Sequence, residues 1–321
     1  MGTILVGRAM APAATALTGL SGLATSGSPD VPLVENLLVN GGLEIWQRGT
    51  GPFSGNNTYS ADRWQAQLGG SDTLSTSRDG ANADAGSEFC AACTFTVTTG
   101  SGLYQRVEGY VALRGRTLTF SCRVRTSVAA AVRLELHDGV AGTNSAYHTG
   151  DGTYQTLSVT RTIAGTASMV RVGVQAMATA TVYVDSATLC VGAGVLYLPR
   201  TAADDMARCK RYYHAIGGDA PFEYFGVGLC TATNTVSGIV IPYPAEMPIV
   251  PTVAFTAAAT FAVLSATGNV IGLTAITSNS PGRRSTAVVA TIGAASLVAG
   301  NSSPLLANNS TAARLTLEAN P

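Results

Sequence analysis

The sequence predicts an all-β chain: a jelly-roll or β-sandwich unit, a short linking helix, a second C-terminal β-sandwich and an extended N-terminal arm. Three observations predict it. Short segments alternate apolar and polar residues with period two, as strands do when one face meets a core and the other water. Glycine-bearing turns such as Asp138-Gly139 and Gly150-Asp151-Gly152 separate these segments. Of 321 residues, 46% are hydrophobic and only 12% charged, about half the ~25% of an ordinary globular protein.

In chain order, residues 1–35 carry Gly, Ala, Ser, Thr and Pro with almost no charge and no sustained period. They read as an arm that orders on a partner, with Gly7 and Gly19 permitting close backbone approach and Pro12 stiffening it. Residues 36–199 hold the clearest strands. Leu118, Phe120, Cys122 and Val124 share one face, as do Val132, Leu134 and Leu136. Leu157, Val159 and Ile163 continue the series, with further strands at 169–175 and 180–185. Residues 200–214 contain the helix, capped by Thr201, with Asp204 and Asp205 in its first turn and Arg208, Lys210 and Arg211 in its last. Met206, Cys209 and Tyr213 form its apolar stripe. Residues 215–321 are again β-rich. From Thr231 onward the only charges are Glu246, Arg283, Arg284, Arg314 and Glu318. A unit so poor in charge is prone to associate, which predicts coverage by copies of itself.

Several function classes fall away. Lys+Arg and Asp+Glu are 19 each, so there is no basic excess to grip nucleic acid or an anionic membrane. No apolar run is long enough to span a bilayer as a helix. Six cysteines in a chain this long do not make a disulfide scaffold. Cys90-Ala-Ala-Cys93 lies within a predicted strand, where positions three apart face opposite ways. Its thiols read as small core residues. No nucleophile elbow, phosphate loop or zinc-binding His pair is present. His137, His148 and His214 are the only histidines, and they do not compose a triad. Glu135, between Leu134 and Leu136, points outward and is expected to be solvated.

The remaining motifs are distinctive. They are Asn36 to Thr50, which contains Asn40-Gly-Gly-Leu-Glu-Ile-Trp-Gln-Arg-Gly, then Tyr59-Ser-Ala-Asp-Arg-Trp64 and Gln105-Arg-Val-Glu108. Leu113-Arg-Gly-Arg-Thr-Leu-Thr-Phe-Ser121, Val182-Tyr-Val-Asp-Ser-Ala-Thr-Leu189 and Cys209-Lys-Arg-Tyr-Tyr213 follow. In this order they resemble a family of bacteriophage virion proteins, described variously as tail fibre, head fibre or minor structural proteins. Leu43 and Lys210 depart from it, standing where the family often has Phe and Gln.

The resemblance implies a jelly roll similar to carbohydrate-binding modules, a linking helix and a C-terminal β domain that trimerises. It further implies a virion location, an N-terminal arm on phage capsid or tail proteins, and host surface carbohydrate as the ligand. The expected function is therefore a non-enzymatic fibre or spike that contacts glycans. A trimeric glycan depolymerase and a ligand-free decoration protein are the alternatives. Tyr147, Tyr154, Trp46, Trp64 and Tyr59 are candidates for stacking on sugar, although Trp46 and Trp64 fit better as plugs of the sandwich core. Glu44 and Asp185 resemble positions where such sandwiches hold a structural calcium. No other cofactor is expected.

Overall fold

The computed structural model describes residues 35–194 and 197–320. Gly7, Pro12 and Gly19 lie outside them. The first half is a sandwich of two antiparallel sheets. A six-stranded sheet runs Phe53–Ser54, Thr73–Asp79, Cys90–Thr96, Ala180–Val191, Thr117–Arg125, Tyr154–Thr162 in spatial order. A five-stranded sheet runs Gln65–Gln67, Ser101–Arg106, Arg171–Ala176, Val132–His137, Gly142–Asn144. The period-two reading holds at the core. Leu118, Phe120, Cys122 and Val124 from one sheet meet Val132, Leu134 and Leu136 from the other, all fully buried. Cys90, Cys93, Cys122, Cys209 and Cys230 are buried thiols. Burial pushes Cys90 up to about 11 and Cys93 up to about 12, which suits core residues and not a redox pair.

The C-terminal half differs from a second sandwich. Strands Tyr224–Ala232, Thr235–Pro242, Ser285–Ile292, Val270–Asn279, Phe261–Leu264 and Ser302–Ala307 close into a barrel. The physical reason is the edge. An open sheet guards its edges with charge, bulges or proline. This stretch has almost no charge to spend, and closure removes the edges altogether. Beside the barrel, Tyr213–Ile216, Leu315–Glu318 and Thr252–Phe255 form a three-stranded sheet. Leu315 and Leu317 pack into the barrel core with Phe255 and Phe261.

The helix spans Ala202–Cys209, and Thr201 Oγ1 accepts from the Asp204 N–H as its cap. Its buried face is not the expected stripe. Asp205 and Cys209 are buried, followed by Tyr212, whereas Met206 is half-buried. Tyr213 has already entered a strand.

The two halves meet at arginines. Arg48 lies 3.7 Å from the ring centre of Tyr213 and 5.2 Å from that of Tyr59. It pairs with Glu318 at 2.6 Å and Asp62 at 3.6 Å. Gln47 donates to the Tyr213 carbonyl and to Asp62, and its side-chain oxygen lies 3.3 Å from His214 Nδ1. Arg63 stacks on Tyr212 at 3.9 Å, and donates to Asn320 and the Arg106 carbonyl.

Two titrations oppose each other at this seam. Burial pushes the Asp62 carboxyl from 3.8 up to about 6, against the pull of Gln47 and Arg48. Burial, aided by Lys210, pushes His214 from 6.5 down to about 4. Asp62 therefore contributes stability that is present below pH 3.8 and lost as pH rises through about 6. His214 contributes stability that is present above pH 6.5 and lost as pH falls through about 4. The windows overlap and the signs are opposite. Urea midpoints measured between pH 4 and pH 6.5 should fall on acidification more steeply in Asp62→Asn than in wild type. In His214→Gln they should fall less steeply than in wild type. Three parallel profiles would contradict this coupling.

Candidate functional site

The solvent face of the five-stranded sheet gathers a row of planar polar groups. Register sets the layout. One row reads Gln65, Tyr104, Gly173, Glu135, Asn144 across all five strands. The next reads Gln67, Gly102, Gln175, Arg133, and a third reads Arg106, Arg171, His137, Gly142. Their strand neighbours Ala66, Leu103, Val172, Val174, Leu134 and Leu136 point into the core, which turns these rows outward.

Two glycines shape the centre. A Cβ on Gly173 would lie 2.3 Å from Tyr104 Cδ1, and one on Gly102 would lie 2.6 Å from its Cε2. The Tyr104 ring therefore lies back over Gly102 of its own strand and across Gly173 of the neighbouring one. Arg171 covers it at 4.4 Å from the ring centre. Its guanidinium is held between Gln67 on one side and Glu135, at 2.8 Å, on the other. Arg171 Nε is buried without a hydrogen-bond partner. Burial and the nearby Glu135 carboxylate push the Tyr104 phenol up, so it stays protonated. At the rim, Arg133 donates to Gln175 at 2.9 Å and lies 5.3 Å from the ring centre of Tyr147. Tyr147 is 39% exposed. With Arg106, Arg133 and Arg171 against Glu135 alone, the face carries net positive charge.

Of the sequence-predicted residues, Tyr147 borders this face at one end and Tyr59 bridges to Gln65 at the other. Trp64 has no exposed surface, and its Nε1 donates to the Asn40 carbonyl. Trp46 is buried, donates to the Leu43 carbonyl and stacks on Phe53. Neither tryptophan can receive a sugar; both plug the sandwich core. The Asn40-Gly-Gly-Leu turn is their anchor. Asn40 and Leu43 adopt positive φ, and a Cβ on Gly41 would lie 2.4 Å from the Ala187 carbonyl. Tyr59 is half-buried under Arg48. Tyr154 lies on the other sheet, with its hydroxyl on the Asn82 carbonyl and Arg123 5.6 Å from its ring centre. Glu135 points outward as expected, but it is paired with Arg171 and not solvated.

Glu44 and Asp185 hold a loop. Glu44 accepts from the backbone N–H groups of Glu88 and Phe89. Asp185 accepts from the Asp84 N–H and from the hydroxyls of Ser87 and Ser186. Burial raises both carboxyls. Calcium wants a shell of six to eight oxygen ligands, whereas these oxygens face hydrogen-bond donors. No group of three or more metal-ligating side chains occurs among the described residues. The residues as placed do not fit a calcium ion.

Sequence reasoning missed Tyr104 and Arg171. The available signal was glycine inside two strands, at 102 and 173, which marks a close approach.

No protein-family profile matches the chain, and no curated protein does. Solved structures show limited likeness. A CBM22-1 xylan-binding domain from Paenibacillus barcinonensis Xyn10C is 14% identical with a TM-score of 0.33, covering 44% of this chain and 95% of its own. TmCBM61, solved with β-1,4-galactotriose, is 14% identical with a TM-score of 0.33, covering 49% and 99%. The enzymatically active domain of bacteriophage CBA120 tailspike protein 4 is 12% identical with a TM-score of 0.34, covering 49% of this chain and 21% of its own. At these scores the likenesses carry no argument about the site.

Proposed function

We propose that this chain is a non-enzymatic glycan-binding protein, and that the solvent face of its five-stranded sheet receives the sugar. The observation that carries this reading is the Tyr104–Arg171 platform. It sets a guanidinium, a carboxylate and two side-chain amides side by side on one face, each able to meet a sugar hydroxyl. Tyr147 supplies an exposed ring at the rim for the apolar face of a pyranose. The positive charge of the face favours an acidic glycan.

The wider role is a fibre or spike component of a phage virion, supported by the ordered motifs from Asn36 to Tyr213. In this reading residues 1–35 attach the chain to capsid or tail proteins, and the C-terminal half forms a homotrimer. Tyr224, Val227, Leu229 and Val240 support the trimer. They lie on adjacent barrel strands and are each more than half exposed, an apolar surface of the kind that associates.

Two measurements test this. Calorimetric titration with uronic-acid oligosaccharides should give binding that weakens with salt and falls about tenfold or more in Arg171→Ala, the loss expected for charge-assisted hydrogen bonds. Absence of any glycan binding, or full retention in Arg171→Ala, overturns the assignment of this face. Sedimentation equilibrium should give a species near three times 32.7 kDa. A stable monomer at micromolar concentration contradicts the trimer.

A further inference from the structure

A pocket of about 350 Å³ opens where the end of the Ser101–Arg106 strand meets the helix and the chain that leaves it. Four arginines line it, Arg63, Arg106, Arg208 and Arg211, against one carboxylate, Glu108. The Tyr212 ring gathers two of them, with Arg63 at 3.9 Å and Arg211 at 5.7 Å from its centre. Arg208 pairs with Glu35 at 2.7 Å. With both carboxylates counted, four cations face two anions.

Arg63 is the least compensated of the four. It is 3% exposed. Its hydrogen bonds go to the Asn320 side chain and the Arg106 carbonyl, both neutral. A cation held out of water needs a counter-charge beside it. Glu108 serves Arg63 only from a distance, because it is bonded to Arg211 at 3.3 Å and to the Tyr212 hydroxyl.

The donors that a ligand would meet are accessible. Arg106 is exposed, and its guanidinium makes no hydrogen bond among the described residues. Arg211 is 44% exposed. Of the five N–H donors of a guanidinium, Arg211 gives one to Glu108. A cation entering this pocket would be repelled, and a neutral polyol would leave the excess charge as it is. An oxyanion answers both needs. Its oxygens match the planar fork of a guanidinium, and its charge compensates Arg63 through space without touching it.

We propose that this pocket is an oxyanion site, in which Arg106 and Arg211 hold a carboxylate or phosphate group in the field of Arg63. Arg106 is the register partner of Arg171, so an acidic glycan on the five-stranded face could place a carboxylate here; free phosphate is the other source. The pocket does not depend on a glycan lying over Arg171, so either assignment can fail alone.

The test uses the full chain at neutral pH and fixed ionic strength, with two probes. In the first arm, inorganic phosphate replaces chloride and the melting temperature is followed against its concentration. Wild type should gain about 2 °C or more, and Arg106→Gln/Arg211→Gln should lose that gain. General stabilisation by phosphate as an excluded solute is common to both proteins and cancels. Arg171→Ala should keep the gain. Glu108→Gln, which frees Arg211, should reach half of the gain at about threefold less phosphate, an improvement that a folding defect cannot imitate. In the second arm, trigalacturonate is titrated by calorimetry. A tenfold weaker affinity in Arg106→Gln/Arg211→Gln, about the loss of a charge-assisted hydrogen bond, assigns the anion to the glycan. A response to phosphate alone assigns the pocket to the free ion. The proposal is overturned if the double variant matches wild type with both probes, or if Glu108→Gln needs more phosphate than wild type.

Discussion

Arg48 is the residue on which the two halves of the described chain depend. Its guanidinium belongs to the sandwich through Asp62 and Tyr59, and to the three-stranded sheet through Tyr213 and Glu318. Burying a guanidinium costs several kcal/mol unless charge and hydrogen bonds replace its water. Neither half supplies all of its partners, so the cation has both carboxylates and both rings only when both are in place. The three-stranded sheet passes the constraint on, since Leu315 and Leu317 beside Glu318 are part of the barrel core. Arginine suits this place better than lysine, because its flat, weakly hydrated cation packs against rings and reaches two carboxylates at once. The same choice recurs at Arg63 on Tyr212 and Arg171 on Tyr104.

The sandwich was legible because its signal is local. Alternation in Thr117–Arg125 and Val132–His137 states which side chains enter the core, and the structure buries those residues. Barrel closure was not legible. Strands in a barrel and in a sandwich alternate alike, and what separates them is which strand pairs with the first and last. Here the Tyr224–Ala232 strand pairs with Ser302–Ala307, a partner far away in sequence. The one local hint was the missing charge after Thr231, which also explains why closure is favoured. The helix stripe failed for a related reason. Asp205, read as a dipole partner at the surface, is drawn inward beside Arg200.

The candidate site was legible only at its rim. Tyr147 stands out beside a glycine-rich turn. Tyr104 sits in a loosely alternating segment, and its role depends on Gly173 opposite it, which only register reveals. The tryptophans were open to two readings, of which the core plug was the stronger, because rarity and aromatic character suit a sugar platform as well. The carbonyls of the 40–43 turn decide between these, since they accept both indole N–H groups. Glu44 and Asp185, read from the sequence as calcium ligands, both reach the 84–89 segment. Their chemistry is loop anchorage, because backbone and hydroxyl donors converge on them.

The five-stranded face is open, positive and built around a covered tyrosine. The measurement that tests the central assignment most directly is a crystal structure of the full chain with its tightest-binding acidic oligosaccharide. Sugar density lying across Arg171, Glu135 and Gln175 and reaching Tyr147 is the predicted result. Density confined to the barrel, or to the far sheet with the Arg171 face empty, would contradict it.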